Sequence, residues 1–159
     1  MKRILLILAI YSLSVSAIAS LRDEEPAVAW ETIQPDSKNK NNMDKNILIN
    51  AGNASFAVTL EDNPAAKAFM ALLPLKVYML EMNGNEKYYN LPGELPTVAY
   101  RPGKIRSGDL LLWGSNTVVL FYKTFSSSYS YTRLGWVNEP AELATALGRG
   151  NVTVIFKRQ

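Results

Sequence analysis

The sequence of 159 residues contains no cysteine and no histidine. A Ser-His-Asp triad, a Cys-His pair and a zinc site with Cys or His ligands are therefore excluded. A general acid or base would have to be Asp, Glu, Lys or Tyr. We predict no cofactor and no metal site, although carboxylates alone could still bind calcium. Because no disulfide can form, a packed core must stabilise the fold, and a domain of about 115 residues can supply one.

The chain also lacks any cluster of Lys and Arg with interleaved aromatic residues, so no nucleic-acid partner is predicted. Its first residues, MKRILLILAIYSLSVSAIAS, have a basic start, an apolar stretch and an Ala-Ile-Ala cleavage site. We predict a signal peptide over residues 1–19, export, and a final location in the periplasm or outside the cell. An uncleaved membrane anchor is the alternative, but the apolar run is short for one. After cleavage no integral membrane segment is expected.

Residues 20–45 contain two prolines, a charged block and a polar run, with no period of 2 or 3.6. This composition predicts a flexible spacer. We therefore divide the chain into a signal peptide (1–19), a spacer (20–45) and one folded domain (46–158). Removal of residues 1–19 takes away two of 17 basic residues and none of the 14 acidic ones, which leaves a formal charge of 15 − 14 = +1.

Short apolar stretches separated by turn residues follow one another through the folded domain, which indicates seven or eight strands. Asn83-Gly84 predicts a tight hairpin turn. The runs LLLW and TVVLFY are apolar on both faces, so we expect them at the centre of a sheet. The stretches PGELPT and AYRPGKIRSGD are interpreted as surface loops.

Two short helices are predicted. Asn63 is expected to cap the first, with Pro64 at its first position, and Asn138 is expected to cap the second, which should end at Gly148. The strands are neighbours along the chain and are not separated by helices, which argues against a doubly wound parallel sheet. The predicted fold is mainly β, a small closed antiparallel barrel whose open ends the two helices could cover.

The stretch SSSYSYTRLGWV, residues 126–137, carries the candidate site. If it is one strand, Ser127, Tyr129, Tyr131 and Arg133 share a face. Tyr and Arg are enriched at binding surfaces because they combine contact area with hydrogen bonding. Such a row could hold an extended peptide or an anionic ligand with an aromatic part. The alternative is an ordinary strand, because Tyr and Thr are good strand formers. The predicted ligand-binding residues are Tyr88, Phe121, Tyr129, Tyr131 and Arg133.

Four segments together carry a resemblance to a known family: LEDNPAAKAFMALLPL, NGNEKYYNLP, PGKIRSGDLLLWGSNTVVLFYKTF and SYSYTRLGWVNEPAELATALGRGNVTVIF. In this order they resemble the small bacterial cyclophilin-like fold proteins, from about residue 47 to about residue 156. The resemblance implies a closed β-barrel with helices at its ends. True cyclophilins are prolyl isomerases, but this chain lacks their Phe-His-Arg and Gln-Gly-Gly-Asp-Phe segments. No catalytic residue is therefore carried over.

Three functional hypotheses remain at this point. The first is an exported, non-catalytic module that binds a peptide segment or a small ligand. The second is a divergent prolyl isomerase, since lowering a barrier of about 20 kcal/mol needs an apolar pocket and one donor, which Arg133 could supply. The third is a domain that binds an envelope protein through its Tyr-rich strand. Whether the protein is an enzyme is left open.

Overall fold

Ten strands and two helices make up residues 45–159, the part of the chain that this computed structural model describes. The predicted signal peptide and the predicted spacer, except for Lys45, lie outside the described residues. The strands are β1 (Asn46–Ala51), β2 (Ala54–Leu60), β3 (Leu75–Met82), β4 (Glu86–Asn90), β5 (Gly103–Ile105), β6 (Asp109–Trp113), β7 (Thr117–Phe121), β8 (Phe125–Ser127), β9 (Thr132–Val137) and β10 (Val152–Arg158). The helices are α1 (Pro64–Ala71) and α2 (Leu143–Leu147).

Eight of the strands close into an antiparallel barrel in the order β1-β10-β3-β4-β7-β6-β9-β2, and β2 pairs back onto β1. The predicted fold class is confirmed. The hairpin between β3 and β4 is confirmed as well: Asn83 (φ 57°) and Gly84 (φ 68°) both adopt the left-handed conformation that such a turn needs. Strands β5 and β8 form a separate two-stranded sheet. The expectation of a loop over Gly103–Ile105 was therefore wrong.

The two central strands are buried on both faces, as their sequences predict. Inside the barrel, Leu110 and Leu112 of β6 join the main core cluster, together with the alternate residues of β7. On the outside, Leu111 of β6 and Phe121 of β7 join a second, smaller cluster that also contains Tyr131. A second hydrophobic layer therefore covers this part of the outer surface of the barrel, and the candidate site lies beside that layer.

Both helices bury apolar residues in the main core cluster. In α1, Phe69 packs edge-on against Phe156 of β10, with 5.4 Å between the ring centroids. Helix α2 buries Leu143 and Leu147 and ends at Gly148, as predicted. Asn138 does not cap α2, because a cap at this position requires the helix to begin at residue 139 and α2 begins at Leu143. Its backbone N–H bonds Ala57 of β2, so it extends the β2–β9 ladder instead.

Asn63 caps α1, as predicted: its Oδ1 accepts a hydrogen bond from the Ala66 N–H at 2.8 Å. Its Nδ2 also donates to the Arg133 carbonyl of β9 at 2.7 Å. We expect Asn63→Ala to lower the free energy of unfolding by about 1–2 kcal/mol, because both bonds are lost. Urea denaturation of the full chain measures this. Asn63→Ser keeps a capping acceptor without placing a carboxylate against the Arg133 carbonyl, and it should be more stable than Asn63→Ala; equal stability of these two variants would contradict the capping role.

Candidate functional site

The outer face of β4, β7 and β6 is where the candidate site lies. Tyr88 of β4, Val119 of β7 and Leu111 of β6 are direct neighbours across these strands. After β7 the chain leaves the barrel, forms β8 against β5, and returns at Tyr131, whose backbone exchanges two hydrogen bonds with Tyr100. This excursion partly covers the outer face and leaves part of it open.

A cavity of about 530 Å³ lies on this face. Ligand-binding cavities commonly have volumes of this order and are lined by apolar and aromatic side chains with a few polar groups. The cavity is lined by Met82, Asn83, Asn85, Glu86, Tyr88, Asn90, Trp113, Thr117, Val119, Phe125, Ser126, Ser127, Ser128, Tyr129 and Tyr131.

Three of the five predicted ligand-binding residues line this cavity: Tyr88, Tyr129 and Tyr131. Tyr129 is 65% exposed, whereas Tyr131 is almost fully buried. Phe121 is fully buried and does not line the cavity itself. Its ring packs against two residues that do, Phe125 at 5.6 Å and Tyr131 at 5.7 Å between centroids. Phe121 therefore supports the cavity wall from below.

Arg133, the fifth predicted residue, does not line the cavity. It pairs with Leu111 of β6, so it ends a row that runs from Tyr88 through Val119 and Leu111. Three strand spacings, roughly 14 Å, separate the two ends of this row. The Arg133 Nε donates to the Tyr100 hydroxyl at 3.0 Å, and its guanidinium lies 3.7 Å from the carboxylate of Asp109.

Among the residues that the structure describes, Glu86 is the one acidic or basic side chain in the cavity lining other than the tyrosines. Burial raises the pKa of its carboxyl, and the negative charge of Glu81 raises it further. The buried phenol of Tyr131 also has a raised pKa, mainly because burial disfavours its ionised form. The cavity thus combines a half-buried carboxyl, neutral hydroxyl and amide groups, and aromatic faces.

The decisive comparison is with protein families: the model described as the Cyclophilin-like family matches residues 49–157. The chain belongs to the cyclophilin-like family. The resemblance seen in the sequence is thereby confirmed. Among solved structures, the solution structure of a hypothetical protein from Archaeoglobus fulgidus is similar, with 15% sequence identity and a TM-score of 0.47. The match covers 72% of this chain and 95% of that one. No curated protein matches the chain in sequence.

The cyclophilin-like domain departs from the sequence-based account in one respect that matters for the site. Residues 126–137 are not one strand: β8 ends at Ser127 and β9 begins at Thr132. The regular alternation of faces assumed for this stretch is therefore broken between the two strands. For that reason Tyr129 and Tyr131 reach the cavity while Arg133 faces Tyr100 and Asp109.

Sequence reasoning missed several lining residues of the cyclophilin-like domain, above all Trp113 and Glu86. Trp113 is 53% exposed at the end of β6, two residues beyond Leu111 and therefore on the same outer face. Glu86 lies two residues before Tyr88 and shares its face for the same reason. The sequence shows that side chains alternate between the two faces of each strand. It does not show which part of the outer surface of the barrel is covered by other segments.

Two further observations concern metal binding and membrane spanning. Within residues 45–159, no group of three or more acidic side chains is placed to hold a metal ion. In the same part of the chain, no helix has the length and apolar character needed to cross a bilayer.

Proposed function

We propose that the cyclophilin-like domain is a non-catalytic binding module of an exported protein. Its ligand is a small molecule or a short peptide segment, held in the cavity on the outer face of β4, β7 and β6. The observation that carries this proposal is the cavity itself, whose volume of about 530 Å³ suits a ligand of that size. Residues 1–19, with their signal-peptide pattern, support export.

The lining of the cavity supports binding because it brings aromatic side chains from separate parts of the chain to one place. Tyr88 comes from β4, Trp113 from β6, and Tyr129 from the segment between β8 and β9. Aromatic side chains of this kind supply large contact area at a low cost in conformational entropy. The polar groups among them, such as Asn90 and Thr117, can fix the orientation of a ligand.

The position of Arg133 is the reason for proposing binding rather than prolyl isomerisation. In the isomerase hypothesis its guanidinium stabilises a twisted prolyl amide beside Tyr129 and Tyr131. The guanidinium instead bonds Tyr100 and faces Asp109, and among the described residues no Arg or Lys lines the cavity. The lining of the cavity therefore does not contain the arginine donor that this hypothesis assigns to it.

Tyr129→Ser tests the proposal, with benzyl alcohol as a neutral aromatic probe. We expect the full chain to bind the probe saturably and Tyr129→Ser to weaken the binding about fivefold to tenfold, because stacking area is lost. Tyr78→Ser is the matched control, since Tyr78 is 58% exposed on β3 and does not line the cavity. NMR titration measures both. Equal losses in the two variants, or no saturable binding, would contradict the proposal.

A further inference from the structure

The charge of the cavity lining is negative. Among the described residues, Glu86 is the only charged side chain that lines it, and no Lys or Arg does so. The nearby basic residue Lys87 points to the opposite face of β4, where its ammonium group bonds Glu81 and the carbonyls of Gly148 and Gly150. It is therefore already engaged, and it does not compensate the charge of Glu86.

Glu86 has no partner of opposite charge in the domain. None of the salt bridges within residues 45–159 involves it. Burial and the charge of Glu81 act on its carboxyl, and no hydrogen bond from a described residue lowers its pKa. The titratable group that acts on it is another acid, Glu81, which raises the pKa of Glu86 beyond the effect of burial. A half-buried carboxylate without compensation costs free energy, and an arriving cation would recover part of that cost.

The rest of the lining also suits a cation. Tyr88, Trp113 and Tyr129 line the cavity. The faces of aromatic rings attract ammonium and guanidinium groups. Asn85 precedes Glu86 in the lining, and its Oδ1 is buried without a hydrogen-bond donor among the described residues. A ligand N–H group can bond this acceptor once the Asn85 side chain rotates towards the cavity, because the buried atom has almost no exposed surface.

We propose that the ligand of this cavity is an organic cation: an ammonium or guanidinium group that pairs with Glu86, attached to an apolar or aromatic body that stacks on the tyrosines and Trp113. This inference rests on the proposed function, because it specifies the ligand of the same cavity. It departs from one of the two possibilities suggested by the sequence, an anionic ligand with an aromatic part, because Arg133 does not line the cavity. The charged group belongs either to a free small amine or to a basic side chain of a peptide.

A series of three probes of similar size tests the charge preference on the full chain: benzylammonium, benzyl alcohol and benzoate. We expect benzylammonium to bind about tenfold more tightly than benzyl alcohol, and benzoate to bind more weakly than either. In Glu86→Gln, most of the advantage of benzylammonium over benzyl alcohol should disappear. Glu94→Gln removes an exposed acid that does not line the cavity, and it should alter neither affinity.

The outcomes separate this inference from the proposed function. Saturable binding of benzyl alcohol with no preference for benzylammonium would overturn the cation proposal and leave the binding module standing. A preference for benzoate that is lost in Arg133→Ala would also overturn it. No binding of any probe would overturn both. An advantage of benzylammonium that persists in Glu86→Gln would contradict the role assigned to this carboxylate.

A further experiment distinguishes a free small amine from a basic side chain of a peptide. A short peptide of Gly and Ser with one central lysine presents the same ammonium group on a peptide backbone. Tighter binding of this peptide than of n-butylammonium, which carries the same alkylammonium group without a backbone, indicates that a basic side chain of a peptide is the ligand. Weaker binding indicates a free small amine. In either case Glu86→Gln should weaken the binding, and an unchanged affinity would count against the proposal.

The pH dependence provides an independent readout. The affinity for benzylammonium should fall as the pH is lowered and Glu86 is protonated, and because its pKa is raised the fall should begin above the range of an ordinary glutamate. The other groups near it do not titrate there: the pKa of Glu81 is lowered, while that of Tyr131 is raised and that of Tyr122 is raised to about 12. Glu86→Gln should abolish this pH dependence.

Discussion

Gly135→Ala is expected to lower the free energy of unfolding by about 3 kcal/mol or more, which is the upper range for overpacking a well-filled site. A Cβ atom at this position would lie 2.4 Å from the Thr59 carbonyl oxygen and 3.0 Å from the Leu60 Cα. Both are backbone atoms of β2, so no side chain can move aside. Gly135 is also paired on both sides, with Leu60 of β2 and Leu110 of β6. Strand β9 therefore cannot shift without disrupting the closure of the barrel.

The control for this substitution is Gly93→Ala. No atom lies within 4 Å of the Cβ that it would add, and its φ is outside the left-handed region. We expect its unfolding free energy to stay within about 0.5 kcal/mol of the parent chain. Urea denaturation followed by circular dichroism measures both variants. Equal stability of Gly135→Ala and Gly93→Ala would show that β2 and β9 do not approach each other this closely.

Lys87→Met is the second substitution with a large expected effect. Lys87 is fully buried inside the barrel, and its Nζ donates to Glu81 and to the carbonyls of Gly148 (2.9 Å) and Gly150 (2.6 Å). It therefore ties the β3–β4 hairpin to the segment that follows α2. Burial alone would raise the pKa of Glu81, but hydrogen bonds from Lys87, Tyr122 and the Gly84 N–H, together with the charge of Lys87, hold it below its ordinary value. Removal of one partner of such a pair costs about 3–5 kcal/mol.

Lys76→Met is the matched control, because Lys76 is exposed on β3 and takes part in none of these bonds. We expect its unfolding free energy to change by less than about 0.5 kcal/mol. Both variants lose one positive charge, so a difference between them reports the buried contacts rather than the net charge. If Lys87→Met were as stable as Lys76→Met, the buried ion pair would have no net role in the fold.

Much of the fold could be predicted because its signals are local. The φ angles that Asn83 and Gly84 adopt are those that a two-residue turn requires, and Asn63 with Pro64 marks the start of a helix. The sequences of β6 and β7 are apolar on both faces and therefore predicted burial on both faces. In the structure the inward residues pack in the main core cluster and the outward residues in the second cluster. Asn138 does not cap a helix because its backbone N–H bonds Ala57 of β2, which is distant in the chain. A local sequence pattern cannot reveal such a contact.

The site was harder to predict from the sequence because it depends on which strands become neighbours. Tyr88 and Trp113 are 25 positions apart in the chain, yet both line one cavity because β4, β7 and β6 pair side by side. The break between β8 and β9 separates Arg133 from Tyr129 and Tyr131, although the sequence suggested a single row. Glu86 had no distinguishing local signal, and only its position on the outer face gives it significance.

The central claim is that the outer cavity is the binding site of the domain. It is tested most directly by following the backbone amide NMR shifts of the full chain during a titration with benzylammonium. We predict saturable shifts concentrated in β4, β7 and residues 125–131, the segments that line the cavity. Shifts centred instead on Tyr100 and Arg133, or no saturable shifts at all, would contradict the account.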